Sequence, residues 1–239
     1  MDRPFHPDFI LKAFPLLLKY LPVTLGVMGA TVLASGVLGL LLARARLGEN
    51  KIAAKIAEFY VTVMRCTPSI VLLFIMYYAV PRIVLGLFKI NLNNLDKAVF
   101  VICSLSLLFA ATMCELMRSA YSAVDCGQKE AALSIGLSET EAFVRIILPQ
   151  ATAIALPNFC NALIALSKEG ALAYTIGLID MMGQGNLIIA RNYGSYTIET
   201  YITLAVIYWV LTIIIEQSFL AIERHLSKGK RIIENTQWN

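Results

Sequence analysis

The sequence predicts an all-α integral membrane protein with five transmembrane helices, and three observations carry that prediction. Hydrophobic residues fill 58% of the 239 positions and charged residues only 15%, a balance too apolar for a typical soluble domain. Several uncharged runs reach the length needed to cross a bilayer. Basic residues collect beside alternate ends of those runs, the bias that marks the cytoplasmic side. At this length residues 1–239 form one transmembrane domain. A net charge of +4 spread over loops speaks of topology and gives no reason to expect nucleic acid as a partner.

Residues 9–20 alternate Phe9, Leu11, Phe14 and Leu16 with Lys12 and Lys19, the pattern of a short helix at the membrane interface interrupted by Pro15. The opening segment MDRPFHPDF lacks a basic region leading into an apolar core, so no cleavable signal peptide is expected. The first span is expected at 21–43, where Gly26, Gly29, Ala30, Ala34, Ser35, Gly36 and Gly39 supply small faces for close helix approach. Arg44, Arg46, Lys51 and Lys55 follow and belong inside. Residues 51–64 interleave polar and apolar positions, as in a helix running along the inner interface before turning in. Pro68 bends or starts a helix within a second span at 66–81, closed by Pro81, and 82–97 form an outer loop.

The third span is expected at 98–120 and the fourth at 146–168, bent at Pro157. Residues 170–190 are apolar enough to span, yet they contain Asp180 and four glycines. They read as a broken, partly re-entrant segment, since irregular backbone is tolerated at membrane depth only against protein or water. A last span at 200–221 leads into a basic tail with Arg224, Lys228, Lys230 and Arg231. Five spans put that tail inside with the first basic cluster and leave Arg3, Lys12, Lys19, Arg82, Lys89, Lys97 and Arg191 outside. A sixth span would put the tail outside. The expected topology is therefore N-terminus out and C-terminus in. The five cysteines sit in or beside apolar runs with no C-x-x-C pair and read as packing residues, with no metal expected.

Between the third and fourth spans lies the long polar stretch 127–145. A short helix from Lys129 ends at Gly136, a good left-handed cap, and Ser138 with Glu141 forms the S-x-x-E capping box of the next helix. Ala131, Ala132 and Gly136 would give the first helix a small surface against which another protein can pack. The run Glu130-Ala131-Ala132, three residues, Gly136, nine residues, Ile146, then Leu148-Pro149 resembles the cytoplasmic coupling loop of ABC-importer permeases. An ordinary helix-turn-helix between spans is the bland alternative.

Ionisable groups in spans are costly and therefore candidates for function. Glu115 and Arg118 share one helix face, either as pathway groups or as a local ion pair hiding both charges. Lys168 and Glu169 could hold the two ends of a zwitterion or sit in outer headgroups. Arg65 with Thr67 marks a helix break, or an arginine reaching for the interface. Asp180 suits a gate or a cap better than a ligand.

Thr67-Pro68, Glu115 with Arg118, Gly127-Gln128, Leu148-Pro149-Gln150 and Lys168-Glu169 look like the polar-amino-acid branch of those permeases, over nearly the whole chain. The resemblance implies the type I ABC-importer permease fold with a cytoplasmic coupling helix, in a bacterial cytoplasmic membrane. It implies ATPase coupling through Gly127, Gln128, Glu130, Ala131, Ala132 and Gly136, and a substrate pathway past Arg65, Thr67, Glu115, Arg118, Lys168 and Glu169. The implied partners are a dimer of ATPase subunits carrying the ATP and Mg, a second permease, identical or homologous, an external substrate-binding protein, membrane lipid and the amino acid itself. No cofactor is expected on this chain. The branch usually has R-G-T-P at 65–68, tyrosine at Thr112 and K-D-T-S-L at 168–172, where this chain loses two hydroxyls. The run 176–180 with Ala190-Arg191 looks most like members handling cystine or related sulphur amino acids.

No phosphate-binding G-x-x-x-x-G-K-[ST], H-E-x-x-H or G-x-S-x-G is present, so a transport subunit without catalytic residues fits better than a membrane enzyme. The alternative transport reading is an ion-gradient-driven secondary amino acid transporter, which predicts internal repeats and mid-span carboxylates.

Overall fold

The computed structural model describes residues 5–227; Arg3, Lys228, Lys230 and Arg231 lie outside the described residues. Nine helical segments follow in order: α1 (Pro7–Leu18), α2 (Leu21–Leu47), α3 (Lys51–Cys66), α4 (Ser69–Phe88), α5 (Lys97–Ser122), α6 (Cys126–Ser134), α7 (Glu139–Ile176), α8 (Met181–Arg191) and α9 (Thr197–Ser227). Five of them, α2, α4, α5, α7 and α9, are long and apolar enough to cross a membrane. No strand occurs among the described residues.

The centre is α5, whose Phe100, Val101, Leu105, Phe109 and Met113 form one core with Val27 of α2, Leu73 of α4 and Leu163, Leu166, Ala173 and Ile176 of α7. Against it lies α2, burying Thr24, Val27, Thr31, Ser35, Gly39 and Ala43 at helical spacing. The contact is closest at Gly39, where an added Cβ would stand 2.6 Å from the Met113 Cβ and 3.1 Å from the Ala110 carbonyl. Of the small residues expected to mediate packing, Gly26, Gly29 and Gly36 have nothing within 4 Å, so one face of α2 does the packing and the other is open.

Two prolines expected to interrupt or close helices, Pro81 and Pro15, do not end them. The second span was expected to close at Pro81, but α4 runs on to Phe88 and the outer loop shrinks to 89–96. The π-turn Ile75–Ala79 ends two residues before Pro81, and the π-turn Phe143–Ile147 ends two residues before Pro149. A proline has no N–H and crowds the carbonyl four residues back, and the wider turn moves that carbonyl aside. Likewise α1 passes through Pro15 unbroken. This short helix buries Ala13 and Leu17 against Met181, Ile188, Leu204 and Ile207, and Phe9 stacks on Tyr196 at 3.9 Å.

Residues 51–64 turn into the bundle rather than keep to the inner interface first. The Tyr60 hydroxyl donates to the Leu107 carbonyl at 2.9 Å, ten residues into the 26-residue α5, and Val61 packs with Ala43, Ala111 and Cys114. α3 thus climbs beside α2 and α5 to the middle of the bundle, because its Ala57 and Val61 fit a small-residue groove that sequence spacing could not reveal. The segment 170–190 is broken as a 3-10 turn, a left-handed Gly177 and α8. Asp180 caps α8 by accepting from the Gly183 N–H at 2.8 Å, Lys97 donates to the Gly177 carbonyl at 3.2 Å, and the Met181 N–H donates to the Thr24 hydroxyl at 3.2 Å.

Candidate functional site

Two places stand out, an elbow between α5 and α7 and a cavity at the break between α3 and α4. Asp125 starts the elbow helix α6 by accepting from the Gly127 N–H at 2.6 Å. The helix closes at Gly136, φ +88°, with its N–H on the Leu133 carbonyl at 3.0 Å and the Leu137 N–H on the Ala132 carbonyl at 3.2 Å. That pair of bonds is the Schellman closure, and it turns the chain back sharply. Ser138 then opens α7: its hydroxyl accepts from the Glu141 N–H at 3.3 Å, and its N–H donates to the Glu141 carboxylate at 3.1 Å. Those bonds from Ser138 hold the Glu141 carboxyl, outside the membrane, below its ordinary value.

The elbow is fastened to the span above it. Lys129 pairs with Glu139 at 3.3 Å, and the Gln150 amide donates to the Gln128 side chain at 3.2 Å. Ala132 is buried, with Ala142 and Ile147 buried in the facing stretch of α7. It is therefore part of the fastening and is not offered to a partner, a correction to the small surface expected from sequence. Gly127, Gln128, Glu130, Ala131 and Gly136 are exposed. Sequence reasoning missed Ile135, which projects with 79% of its surface free; an apolar residue beside a left-handed glycine was the available signal.

The cavity measures about 250 Å³ and is walled by Arg65, Thr67 and Ser69 from the α3–α4 break, Phe109 and Thr112 from α5, and Glu169 from α7. Ser69 and the Glu169 carboxyl face the same space. Arg65 and Glu169 appear in none of the ion pairs among the described residues. Thus two opposite, unpaired charges face one space. Lys168, expected beside Glu169, is exposed and does not line it.

Arg65 also borders a second space of about 420 Å³, lined further by Arg46, Glu58, Thr62 and Glu115. Glu115 accepts from Arg118 through Nε and Nη2, both at 3.0 Å, and from Arg46 of α2. The expected local pair is therefore a three-charge cluster joining α2 to α5. Arg46, 69 positions from its partner, was beyond the reach of sequence spacing. Among the described residues no group of His, Cys, Asp and Glu could hold a metal ion.

Residues 35–228 match the family described as binding-protein-dependent transport system inner membrane component. The chain is 36% identical over 230 residues to the L-cystine transport system permease protein TcyL of Bacillus subtilis (strain 168), covering 96% of this chain and 95% of that one. It is 32% identical over 219 residues to the arginine transport system permease protein ArtQ of the same organism, covering 92% and 96%. A crystal structure of an amino acid ABC transporter with histidines superposes with a TM-score of 0.80 at 30% identity, covering 94% of this chain and all of that one. The inward-facing MetNI methionine ABC transporter shares the fold at a TM-score of 0.71 and 21% identity, covering 89% and 97%.

Proposed function

The chain belongs to the family of binding-protein-dependent transport system inner membrane components, and on that premise we propose that it is the permease subunit of an ATP-driven importer of a polar amino acid. It is a membrane-embedded transport component and not an enzyme. In this reading two ATPase subunits bind ATP and Mg, a second permease, identical or homologous, completes the membrane pathway, and an external receptor delivers the substrate. The N-terminus lies outside and the C-terminus inside. Cystine or a related sulphur amino acid is the proposed cargo, supported by the likeness to the L-cystine permease protein and by the run at 176–180.

The observation that carries the coupling role is the elbow itself: a short helix closed at Gly136, exposing Glu130, Ala131 and Ile135, and fastened by Gln128, Lys129 and Ala132 to the base of α7. ATP binding would draw the ATPase subunits together, pull the elbow, and switch the packing of α5 and α7 between outward- and inward-facing arrangements. Substrate would pass Arg65, Thr67 and Glu169, with the Arg46–Glu115–Arg118 cluster below them, near the inner ends of α2 and α5. The test is crosslinking in the assembled transporter from cysteines placed at Ala131 and Ile135. Adducts with an ATP-hydrolysing subunit are expected. An elbow that reacts only with soluble reagent in the working complex overturns the assignment.

A further inference from the structure

We infer that the π-turn Phe143–Ile147 is the joint at which the elbow turns α7, and that Gln150 is the positioning residue that ties the elbow to that joint. This rests on the coupling role of the elbow and adds the place where its motion enters the membrane.

α6 is tied to α7 on both sides of that turn. Before it, Lys129 pairs with Glu139 at 3.3 Å. Beyond it, the Gln150 side-chain nitrogen donates to the Gln128 side chain at 3.2 Å and to the Ile146 carbonyl at 3.0 Å. One amide therefore joins the elbow to the backbone of the turn itself. Between the two ties Ala132 is buried, and so are Ala142 and Ile147 on α7. The Tyr121 ring of α5 lies 6.2 Å from the Phe143 ring, so the span before the elbow meets the same turn. A body fastened on both sides of a joint changes the angle of that joint whenever it shifts.

The turn is also where α7 yields most readily. The Leu148 N–H reaches back to the Phe143 carbonyl, an i→i+5 bond, and such wide turns are rare and concentrate at functional sites. Beside it Pro149 brings no N–H, which leaves the helical ladder a bond short where the apolar run begins. Prolines and π-turns are the places at which helices kink. The flanks are firmer. The Ser138–Glu141 capping box closes the stretch below, and the α-helix Leu148–Glu169 runs above. A pull on the elbow, passed through Gln150 to the Ile146 carbonyl, therefore bends α7 at this turn and swings everything beyond it.

The experiment uses the permease with its ATPase subunits and receptor in proteoliposomes. Uptake of radiolabelled cystine, methionine, arginine and glutamine is measured against phosphate released, which gives amino acid carried per ATP hydrolysed. That ratio does not depend on how much complex folds. Gln150→Met keeps an unbranched side chain without the amide and should lower the ratio about two- to tenfold, the worth of one hydrogen bond. Gln150→Lys keeps a donor and should hold the ratio within about twofold of wild type. Deleting Val144, which is exposed, leaves an ordinary α-turn with both flanks in place, and should lower the ratio about tenfold or more while membrane insertion survives. Should the deletion fail to assemble, the two Gln150 variants decide alone. A wild-type ratio in Gln150→Met, or a Gln150→Lys no better than Gln150→Met, overturns the tie. A wild-type ratio in the Val144 deletion overturns the joint. A wild-type complex whose ATP hydrolysis ignores the receptor overturns instead the coupling reading on which both rest.

Discussion

Replacing Gly39 by alanine should loosen the bundle, whereas the same change three residues earlier should tighten it. An added Cβ at Gly39 would stand 2.6 Å from the Met113 Cβ and 3.2 Å from the Cys114 nitrogen, while at Gly36 nothing lies within 4 Å. Carbon atoms pack best at about 3.5–4.0 Å, so α2 must retreat from α5 by about 1 Å along a buried seam. Overpacking of that kind costs about 1–3 kcal/mol. Alanine recovers about 0.5–1 kcal/mol at either site by restricting the unfolded backbone and favouring helix. Gly36→Ala is then expected to stabilise by about 0.5–1 kcal/mol and Gly39→Ala to destabilise by up to about 2.5 kcal/mol, the gap being the overpacking cost of about 1–3 kcal/mol. Thermal unfolding of the two variants in the same detergent, followed by tryptophan fluorescence, measures that gap. Equal midpoints for the two variants, or a more stable Gly39→Ala, would refute the packing argument.

Two further perturbations probe the charges and the elbow. Glu115→Gln keeps the side-chain volume but leaves Arg46 and Arg118 facing each other. With side chains 15%, 23% and 36% exposed for Arg46, Glu115 and Arg118, the loss should fall between surface and buried values, about 2–3 kcal/mol. A wild-type unfolding midpoint would sink that expectation, and adding Arg46→Gln should recover part of the loss. Gly136→Val forces a β-branched residue to φ +88°, at a cost of about 1–2 kcal/mol confined to the elbow. Membrane insertion should survive while uptake and receptor-stimulated ATP hydrolysis fall together, and unchanged values of both would remove the coupling role.

Much of the elbow was legible because its signals are local. A glycine at a left-handed cap, a serine with a glutamate three residues on, and their spacing from the following apolar run act within a few residues. The five apolar runs were legible for the same reason. What sequence withheld is whatever depends on a distant neighbour. Arg46 meets Glu115 from another helix, Tyr60 finds a carbonyl 47 positions away, and Ala132 turns inward onto α7. The prolines misled differently. Pro81 read as a stop because the rule assumes an α-helical turn before it, and a π-turn lifts the clash that the rule describes. Arg65 and Glu169 were each visible as costly charges, yet their sharing of one space follows only from the climb of α3.

From Glu139 to Glu169 α7 is continuous through its π-turn and Pro157, and in the proposed transport cycle it acts as a lever. Its short arm is seated at the elbow, and thirty residues on, about 45 Å away at 1.5 Å per residue, it carries Glu169. A tilt of about 5° about the inner end would sweep that carboxylate through about 4 Å, longer than a hydrogen bond. In the proposed transport cycle a small stroke at the base is therefore geared up to a displacement at Glu169 larger than a hydrogen bond.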